Sequence, residues 1–382
     1  MGIFGPPNVQ KMMGKHDVAG LIKALGYEKD GAVRRDAAEA LGELGDQRAV
    51  EPLLGALEDF EVFRVAIRAL GKLGDERAVL RLVPFLITDT FNADVRGDAA
   101  RALGEIGGLT AVEALTAALN SPDAKVRKSA AGALRQMGWK PDRQETRVAY
   151  RIASREWGKA SALGSAAVGQ LITALDDEDS GVRKGAARAL RQIGKPAVKP
   201  LVAAIRNDAL FDVSLACEVL GDIGEPAVPP LVAFLEGKGG TRWLVPAVLA
   251  KIGDARAIGP LVAALRDEHV REDSAAALEA LGWKPDRSEA GAWYWVVKGN
   301  IDNAVALGAP AVEPLISSLG AGDRAVRADA ARALVVLYRE GELDEASRQR
   351  ILDVRKTITR RHQDAESCFG HTDKGIGVAF PL

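Results

Sequence analysis

The sequence predicts an all-α fold, a right-handed α-solenoid or superhelix in which short helical hairpins stack on one another. Three observations predict it: a motif ending in Leu-Gly that recurs along the chain, apolar residues at helical spacing within each copy, and a proline at one fixed position in the preceding segment. The most regular copy is Asp30 to Gly45, DGAVRRDAAEALGELG. Because a hairpin of about 30 residues cannot bury its apolar face alone, the copies must stack.

The leucine of the Leu-Gly pair serves as an anchor for aligning the copies. In the first copy, Val33, Ala37 and Leu41 lie on one helical face, and Arg35 and Glu39 lie on the opposite face. This pattern predicts a short amphipathic helix that ends at a glycine, because glycine adopts left-handed geometry without strain. The anchors are Leu41, Leu70, Leu103, Leu134, Leu190, Leu220, Leu249, Leu278 and Leu334, and they define nine repeats.

A second apolar segment precedes each of these helices, as in AVEPLLGAL from Ala49 to Leu57. Its proline predicts the first turn of a helix, where a missing N–H costs little. We therefore expect two helices in each repeat. The prolines at this position are Pro52, Pro200, Pro230, Pro260 and Pro314.

Two polar residues recur at fixed distances before the anchor. An aspartate eleven residues before it predicts a side-chain cap for the second helix, and an arginine seven residues before it predicts a bond to the aspartate of its own or a neighbouring repeat. The alternative interpretation of the arginines is a basic track for a ligand. The aspartates are Asp30, Asp59, Asp123, Asp179, Asp267 and Asp323. The arginines are Arg34, Arg96, Arg127, Arg183, Arg242, Arg271 and Arg327.

The segments GDQRAVEPLLGALED and VRRDAAEALGELGD resemble the HEAT-repeat family, in particular its short, phycobilisome-lyase-like type. The resemblance covers about residues 17 to 337 and implies HEAT-like helical hairpins. Because this type of repeat occurs in lyases, in a hydroxylase and in many scaffolds, the resemblance implies a fold and no single activity.

The spacing between repeats lengthens twice, each time after GWKPDR. This hexapeptide occurs at Gly138 to Arg143 and at Gly282 to Arg287, an offset of 144 residues, so repeats five to eight look like a second copy of repeats one to four. We expect each insert to be a degenerate helical pair. The predicted segments are an N-terminal cap segment (1–16), repeats 1–4 (17–141), a helical insert (142–166), repeats 5–8 (167–285), a second helical insert (286–309), repeat 9 (310–337), a C-terminal capping helix (338–362) and an extended tail (363–382).

Charge and cysteine content indicate which cellular compartment and which classes of partner to expect. The 51 Lys and Arg residues nearly balance the 52 Asp and Glu residues, so no overall basic field attracts nucleic acid or an anionic membrane. The two cysteines do not form a disulfide framework, and no run of apolar residues is long enough to span a membrane. We expect a cytoplasmic protein without membrane contact, and the balanced charge disfavours nucleic acid as its partner.

Catalytic chemistry finds little support in the motifs. In the hydroxylases that share this repeat, His-Glu pairs in the second helices hold a di-iron centre, but the corresponding positions here carry no histidine, so we expect neither that centre nor another cofactor. A bilin-lyase-like activity remains an alternative. Cys368, His371 and Asp373 are weak candidates for a zinc site, and a solvated tail is the other interpretation.

The candidate partner-binding residues lie where the motif fails. Repeats six and seven replace the usual polar residues with apolar ones, which are either a partner site or are turned into the core. The first insert carries a basic residue at every fourth position, interpreted as a salt-bridged helix or as a surface for an acidic partner, and the second insert carries aromatic residues. The candidates are Phe211, Leu215, Trp243 and Leu244 in the repeats, Arg143, Arg147, Arg151 and Arg155 in the first insert, and Trp293 and Trp295 in the second.

These observations favour a non-catalytic scaffold or adaptor that binds another protein along the concave face formed by the second helices. A bilin-lyase-like enzyme or prosthetic-group chaperone is one alternative, and a nucleic-acid-binding helical-repeat protein is the other. The sequence predicts neither the identity of the partner nor the oligomeric state.

Overall fold

In the computed structural model of the chain, residues 6–321, 323–340 and 343–368 are described, the last range with side chains through residue 357. The described residues form helices and connecting turns and contain no strand. The chain divides into two compact lobes: a first lobe of residues through Ala197 together with Leu210–Leu215, and a second lobe of Val198–Ala209 and the residues from Ala216 onward.

The helices of the first lobe are α1 (Val9–Gly14), α2 (Val18–Leu25), α3 (Gly31–Leu44), α4 (Val50–Gly55), α5 (Phe63–Leu73), α6 (Val79–Ile87), α7 (Ala93–Ile106), α8 (Leu109–Ala118), α9 (Ala124–Gln136), α10 (Gln144–Ala153), α11 (Trp157–Ser161), α12 (Ser165–Thr173) and α13 (Ser180–Ile193). The residues of α14 (Lys195–Arg206) and α15 (Ser214–Ile223) are divided between the lobes. The second lobe continues with α16 (Val228–Leu235), α17 (Val245–Ile252), α18 (Ile258–Ala264), α19 (Arg271–Ala280), α20 (Glu289–Val297), α21 (Ile301–Val305), α22 (Val312–Ser318), α23 (Arg324–Glu340) and α24 (Glu345–Cys368).

The anchor leucines form the core of the repeats. All nine are fully buried, and each lies in a second helix, from Leu41 in α3 to Leu334 in α23. Within the first lobe, α3, α5, α7 and α9 pack side by side in that order, and in the second lobe α17 packs on α19. The predicted all-α fold of stacked hairpins is therefore confirmed.

The glycine of the Leu-Gly pair allows adjacent second helices to approach closely. A Cβ added to Gly42 would lie 2.7 Å from the Cα of Ala69, and one on Gly104 would lie 2.6 Å from the Cβ of Ala133. Real Cβ atoms do not approach other atoms this closely, so a larger residue would push the helices apart. The repeated glycine thus serves helix packing, beyond the helix-ending role of Gly45, whose φ is 70°.

Four of the six aspartates of the ladder cap a second helix as predicted. Asp30 accepts a hydrogen bond from the N–H of Ala32 at 2.8 Å, and Asp323 accepts one from Ala325 at 2.7 Å. The bond to the residue two positions ahead satisfies a free helix donor at two of the other four aspartates. At Asp59 and Asp267 the predicted cap is absent, because α5 and α19 begin four residues later and the bond lies in the preceding turn. The bond itself is present at all four. These are Asp59, Asp123, Asp179 and Asp267.

The arginine ladder ties neighbouring repeats together in part. Arg34 pairs with Asp59 of the next repeat at 2.7 Å, and Arg242 pairs with Asp267 at 2.6 Å. The arginines also donate to backbone carbonyls in the turn before their own helix, as Arg34 does to Tyr27 at 3.0 Å, an acceptor that the sequence analysis missed. Because these carbonyls end a helix and carry partial negative charge, a guanidinium there satisfies otherwise free acceptors.

The C-terminal boundary differs from the prediction. Helix α24 begins at Glu345 and continues to Cys368, six residues into the segment predicted to be an extended tail. No glycine or proline occurs between Leu343 and Gly370, so nothing in this stretch interrupts a helix. Residues 369–382 lie outside the described residues, and the rest of the segment division stays a prediction.

Candidate partner-binding surfaces

In the first lobe, Phe211 is fully exposed at the start of repeat six. Its backbone N–H donates to Asp176 Oδ2 at 2.8 Å, and the N–H of Asp212 donates to Oδ1 of the same carboxylate at 3.3 Å. Leu215, in the first turn of α15, is half-buried. The exposed phenyl ring therefore stands on a backbone segment that Asp176 holds in place.

In the second lobe, Trp243 lies in a 3₁₀ turn, Gly240–Leu244, that leads into α17. Its side chain is 51% exposed, and the neighbouring Leu244 is half-buried. The two residues before the indole hold the turn, because Arg242 donates to Gly237 O at 3.2 Å and pairs with Asp267, and Thr241 Oγ1 donates to Ile205 O at 3.1 Å. The turn thus presents part of a large aromatic surface to solvent in a defined position.

The arginines of the first insert do not form one ridge. Helix α10 ends at Ala153 and Arg155 has a φ of 55°, so the chain turns within the series of basic residues at every fourth position. Arg151 pairs with Glu156 and lies 5.5 Å from the ring centre of Tyr150, while Arg155 pairs with Asp179 at 2.7 Å. The ion pairs of Arg151 and Arg155 agree with the salt-bridged interpretation, but the basic residues do not all lie on one helix, because α10 ends before Arg155.

Arg143 and Arg147 differ from the other basic residues of this insert. Both are exposed, at the N-cap and in the first turn of α10. They stay candidates for contact with an acidic partner, as predicted from the sequence.

The two tryptophans of the second insert have separate roles. Trp293 is only 6% exposed, its Nε1–H donates to Glu289 at 3.1 Å, and the guanidinium of Arg271 lies 5.1 Å from its ring centre. The structure contradicts its placement on a partner surface, because its ring and its N–H are both satisfied inside the lobe. Trp295 is half-buried and packs edge-on against Tyr294, with 5.3 Å between ring centres.

The exposure of Phe60 was not predicted from the sequence. This ring is 89% exposed, in the turn between α4 and α5. One signal was available in the sequence: the arginine position of the second repeat, seven residues before Leu70, is occupied by Phe63.

Neither a metal site nor a membrane-spanning helix is found among the described residues. Within 6–321, 323–340 and 343–357, no group of three or more His, Cys, Asp and Glu side chains could hold a metal ion. The proposed zinc ligands lie elsewhere: the side chain of Cys368 and all of His371 and Asp373 are outside the described residues. None of the described helices is both long enough and apolar enough to cross a membrane.

The repeats match the model of a known family. The family model for HEAT repeats matches residues 18–91, 80–150, 141–214 and 213–282, which together exceed half of the chain. The chain belongs to the HEAT-repeat family, and the resemblance seen in the sequence is confirmed.

The likeness to phycobilisome lyases is also found in a relative. The chain is 34% identical over 139 residues to the alpha subunit of phycocyanobilin lyase from Picosynechococcus, a match that covers 30% of this chain and 51% of the relative. The chain therefore spans about half the length of this curated relative.

Similar solved structures include human deoxyhypusine hydroxylase, at 22% identity and a TM-score of 0.29, with 88% of this chain and 100% of that chain covered. Another is the complex of CpcE and CpcF of phycocyanin lyase from Nostoc, at 22% identity and a TM-score of 0.28, with 69% and 93% covered. Yeast importin-beta matches at 13% identity and a TM-score of 0.32, with 94% and 55% covered.

Proposed function

We propose that this chain is a non-catalytic scaffold that binds another protein on the face formed by its second helices. The observation that carries the proposal is Trp243, a half-exposed indole at the start of α17. Tryptophan is enriched among the residues that dominate binding at protein interfaces, because it buries a large apolar area with few rotatable bonds.

The surroundings of Trp243 support a binding role. The hydrogen bonds of Arg242 and Thr241 hold the turn that carries the indole, so little conformational freedom is lost when a partner covers it. The alternative, that irregular repeats rotate such residues into the core, would leave Trp243 buried, but 51% of it is exposed, against 6% of Trp293 in the second insert.

The test compares proteins captured from native extract by the wild-type chain and by Trp243→Ser. We expect at least one partner to be depleted by about tenfold or more, which corresponds to about 1.4 kcal/mol of binding free energy or more. The matched control is Leu109→Ser, which changes another exposed apolar residue, 75% exposed at the start of α8, and should leave capture unchanged. Equal capture by wild type and Trp243→Ser, with unchanged helical circular dichroism, would refute the proposal.

A prosthetic-group chaperone or lyase is the second candidate. The observation that favours it is the 34% identity to the phycocyanobilin lyase subunit over 139 residues. Titration of the purified chain with phycocyanobilin tests it: a saturable shift of the visible absorption band would support the role, and a spectrum that is the sum of the two components would remove it.

A further inference from the structure

Four phenylalanines form a continuous aromatic surface in the first lobe, which we call the aromatic quartet. It consists of Phe60, Phe63, Phe85 and Phe91. Ring centres are 4.8 Å apart between Phe85 and Phe91, 5.9 Å between Phe63 and Phe85, and 6.2 Å between Phe60 and Phe63. Three of the rings are half-buried, and Phe60 is 89% exposed at the edge of the quartet.

The quartet includes a position where other repeats have an arginine that donates hydrogen bonds to backbone carbonyls. Phe63 occupies the position where Arg34 and Arg96 stand in the first and third repeats, and where a guanidinium donates to the carbonyls of Tyr27 and of Leu86. A phenyl ring cannot donate these bonds. An arrangement that gives up this bonding and leaves Phe60 in solvent is not explained by the stability of the repeat alone.

The segments that carry the quartet are acidic. Residues 55–63, GALEDFEVF, and 82–95, LVPFLITDTFNADV, contain no lysine, arginine or histidine. Their carboxylates are Glu58, Asp59, Glu61, Asp89 and Asp94. Phe60 and Phe91 therefore lie in turns whose formal charges are all negative, and Phe63 and Phe85 lie in the adjoining helices, with Arg64, Arg81 and Arg96 just outside the two segments.

Exposed cations pair with two of these carboxylates, Arg81 with Glu58 and Lys125 with Asp94, whereas the two arginines that pair with the other three are nearly buried. Arg34 takes both Asp59 at 2.7 Å and Glu61 at 2.9 Å, so one guanidinium serves two carboxylates. Burial raises the pKa of Asp59, but the hydrogen bonds from Arg34 and from the N–H of Glu61 outweigh burial and lower it, so the carboxylate stays ionised at neutral pH. Arg96 pairs with Asp89 at 2.8 Å, yet only 10% of the arginine side chain is exposed, against 80% of the aspartate.

We propose that the aromatic quartet and these acidic turns bind an arginine- or lysine-bearing segment of a partner protein. The rings would contact the face of the guanidinium or the aliphatic stem of the basic side chain, and Glu61 and Asp89 would pair with its charge. A nucleic acid or an anionic membrane would be repelled by the same carboxylates.

This inference rests on the proposed scaffold function in treating the partner as a protein, but it concerns a separate surface. Trp243 belongs to the second lobe and the quartet belongs to the first. Binding of a synthetic peptide at the quartet can therefore fail while Trp243 still selects a partner, and the reverse result is equally distinguishable.

The test measures the fluorescence anisotropy of two labelled synthetic peptides, Arg-Leu-Gly-Arg-Leu-Gly-Arg-Leu and the same peptide with glutamate in place of arginine. We expect the arginine peptide to bind at least about tenfold more tightly than the glutamate peptide, and its affinity to fall as salt screens the carboxylates. Phe60→Ser should weaken binding by about fivefold or more. Because that side chain is exposed, the substitution should leave the melting temperature unchanged.

The charge contribution has its own variant. Glu61→Gln combined with Asp89→Asn should weaken binding of the arginine peptide by about fivefold or more and reduce its salt dependence, while Leu109→Ser and Trp243→Ser should bind as wild type does. The proposal is overturned if the arginine peptide binds no better than the glutamate peptide at concentrations up to about 1 mM. It is equally overturned if Phe60→Ser binds with wild-type affinity.

Discussion

The two inserts share one aromatic pair and differ in how a tryptophan is used beside it. In the first insert, Trp139 and Tyr150 meet edge-on with 5.8 Å between ring centres, and in the second, Trp283 and Tyr294 do so at 5.5 Å. Each partner lies 144 residues after its counterpart, the offset that the repeated GWKPDR predicts. The junctions after the fourth and the eighth repeats thus contain the same aromatic pair.

The second helix of each insert departs from this similarity. In the first, Trp157 packs directly over Gly185 of α13, where an added Cβ would lie 2.0 Å from the indole. In the second, the corresponding residues are Ile301 and Asp329, and a cleft of about 590 Å³ is lined by both of them together with Arg332, Ala333 and Val336. The glycine and the tryptophan occur together, and both are replaced together.

The difference shows that the backbone of the insert does not depend on the tryptophan. Arg155 and Gly299, at corresponding positions, both adopt a positive φ, 55° and 70° respectively. The same turn therefore supports a filled interface in one insert and an open cleft in the other. The tryptophan–glycine contact is a local stabilising feature of the first insert, and its energetic weight can be measured against the second.

The largest effect is expected from exchanging the residue beneath the indole. Gly185→Asp would place a Cβ and a carboxylate against Trp157, so we expect a loss of about 3–4 kcal/mol in the free energy of unfolding. Asp329→Gly, the reverse change, should cost at most about 1 kcal/mol, since it removes a side chain from an open cleft. Urea unfolding of both variants measures the difference, and equal losses would show that the two interfaces are packed alike.

Removing the large side chain itself should give the next largest effect. Trp157→Ala would leave a void above Gly185, and we expect it to cost about 2–3 kcal/mol, whereas Ile301→Ala should cost about 1 kcal/mol. Thermal melts followed by circular dichroism would rank the pair. A greater loss for Ile301→Ala would mean that the cleft of the second insert is filled in solution.

The shared aromatic pair should respond equally in both inserts. Tyr150→Leu and Tyr294→Leu each remove an edge-on ring contact from a buried position while keeping an apolar side chain, so we expect each to cost about 1 kcal/mol. The measurement is again urea unfolding, with Tyr338→Leu, a half-buried tyrosine outside both pairs, as the control. A loss confined to one insert would show that the repeated pair stabilises only that insert.

Sequence could predict the features that depend on neighbours along the chain. The burial of the anchor leucines and the aspartate caps follow from spacing within one helix, and all nine buried leucines and four of the six caps are observed. It could not predict whether a given tryptophan is buried, because the exposure of Trp243, just before α17, and of Trp293, in the middle of α20, depends on what packs opposite. The carbonyl acceptors of Arg34 and its relatives were missed for the same reason, since the path of a turn determines which oxygens face the guanidinium.

The smallest expected effect is the pH dependence of an ion pair's contribution to stability, and it again differs between the inserts. Glu156 pairs with Arg151 and Lys159, whereas its counterpart Asn300 carries no charge and instead caps α21 through the N–H of Asn303 at 3.2 Å. Burial raises the pKa of Glu156, but the hydrogen bonds from Arg151 and Lys159 outweigh it and lower the pKa below its usual 4.5. These pairs therefore stabilise the fold above about that pH, and their contribution is lost as the pH falls through the lower, folded-state pKa. We expect Glu156→Asn to lower the free energy of unfolding by about 0.5 kcal/mol at neutral pH, and this difference to disappear in acid. Urea unfolding at neutral pH and in the acid range measures it, and a difference for Glu156→Asn that stays constant with pH would assign its effect to packing.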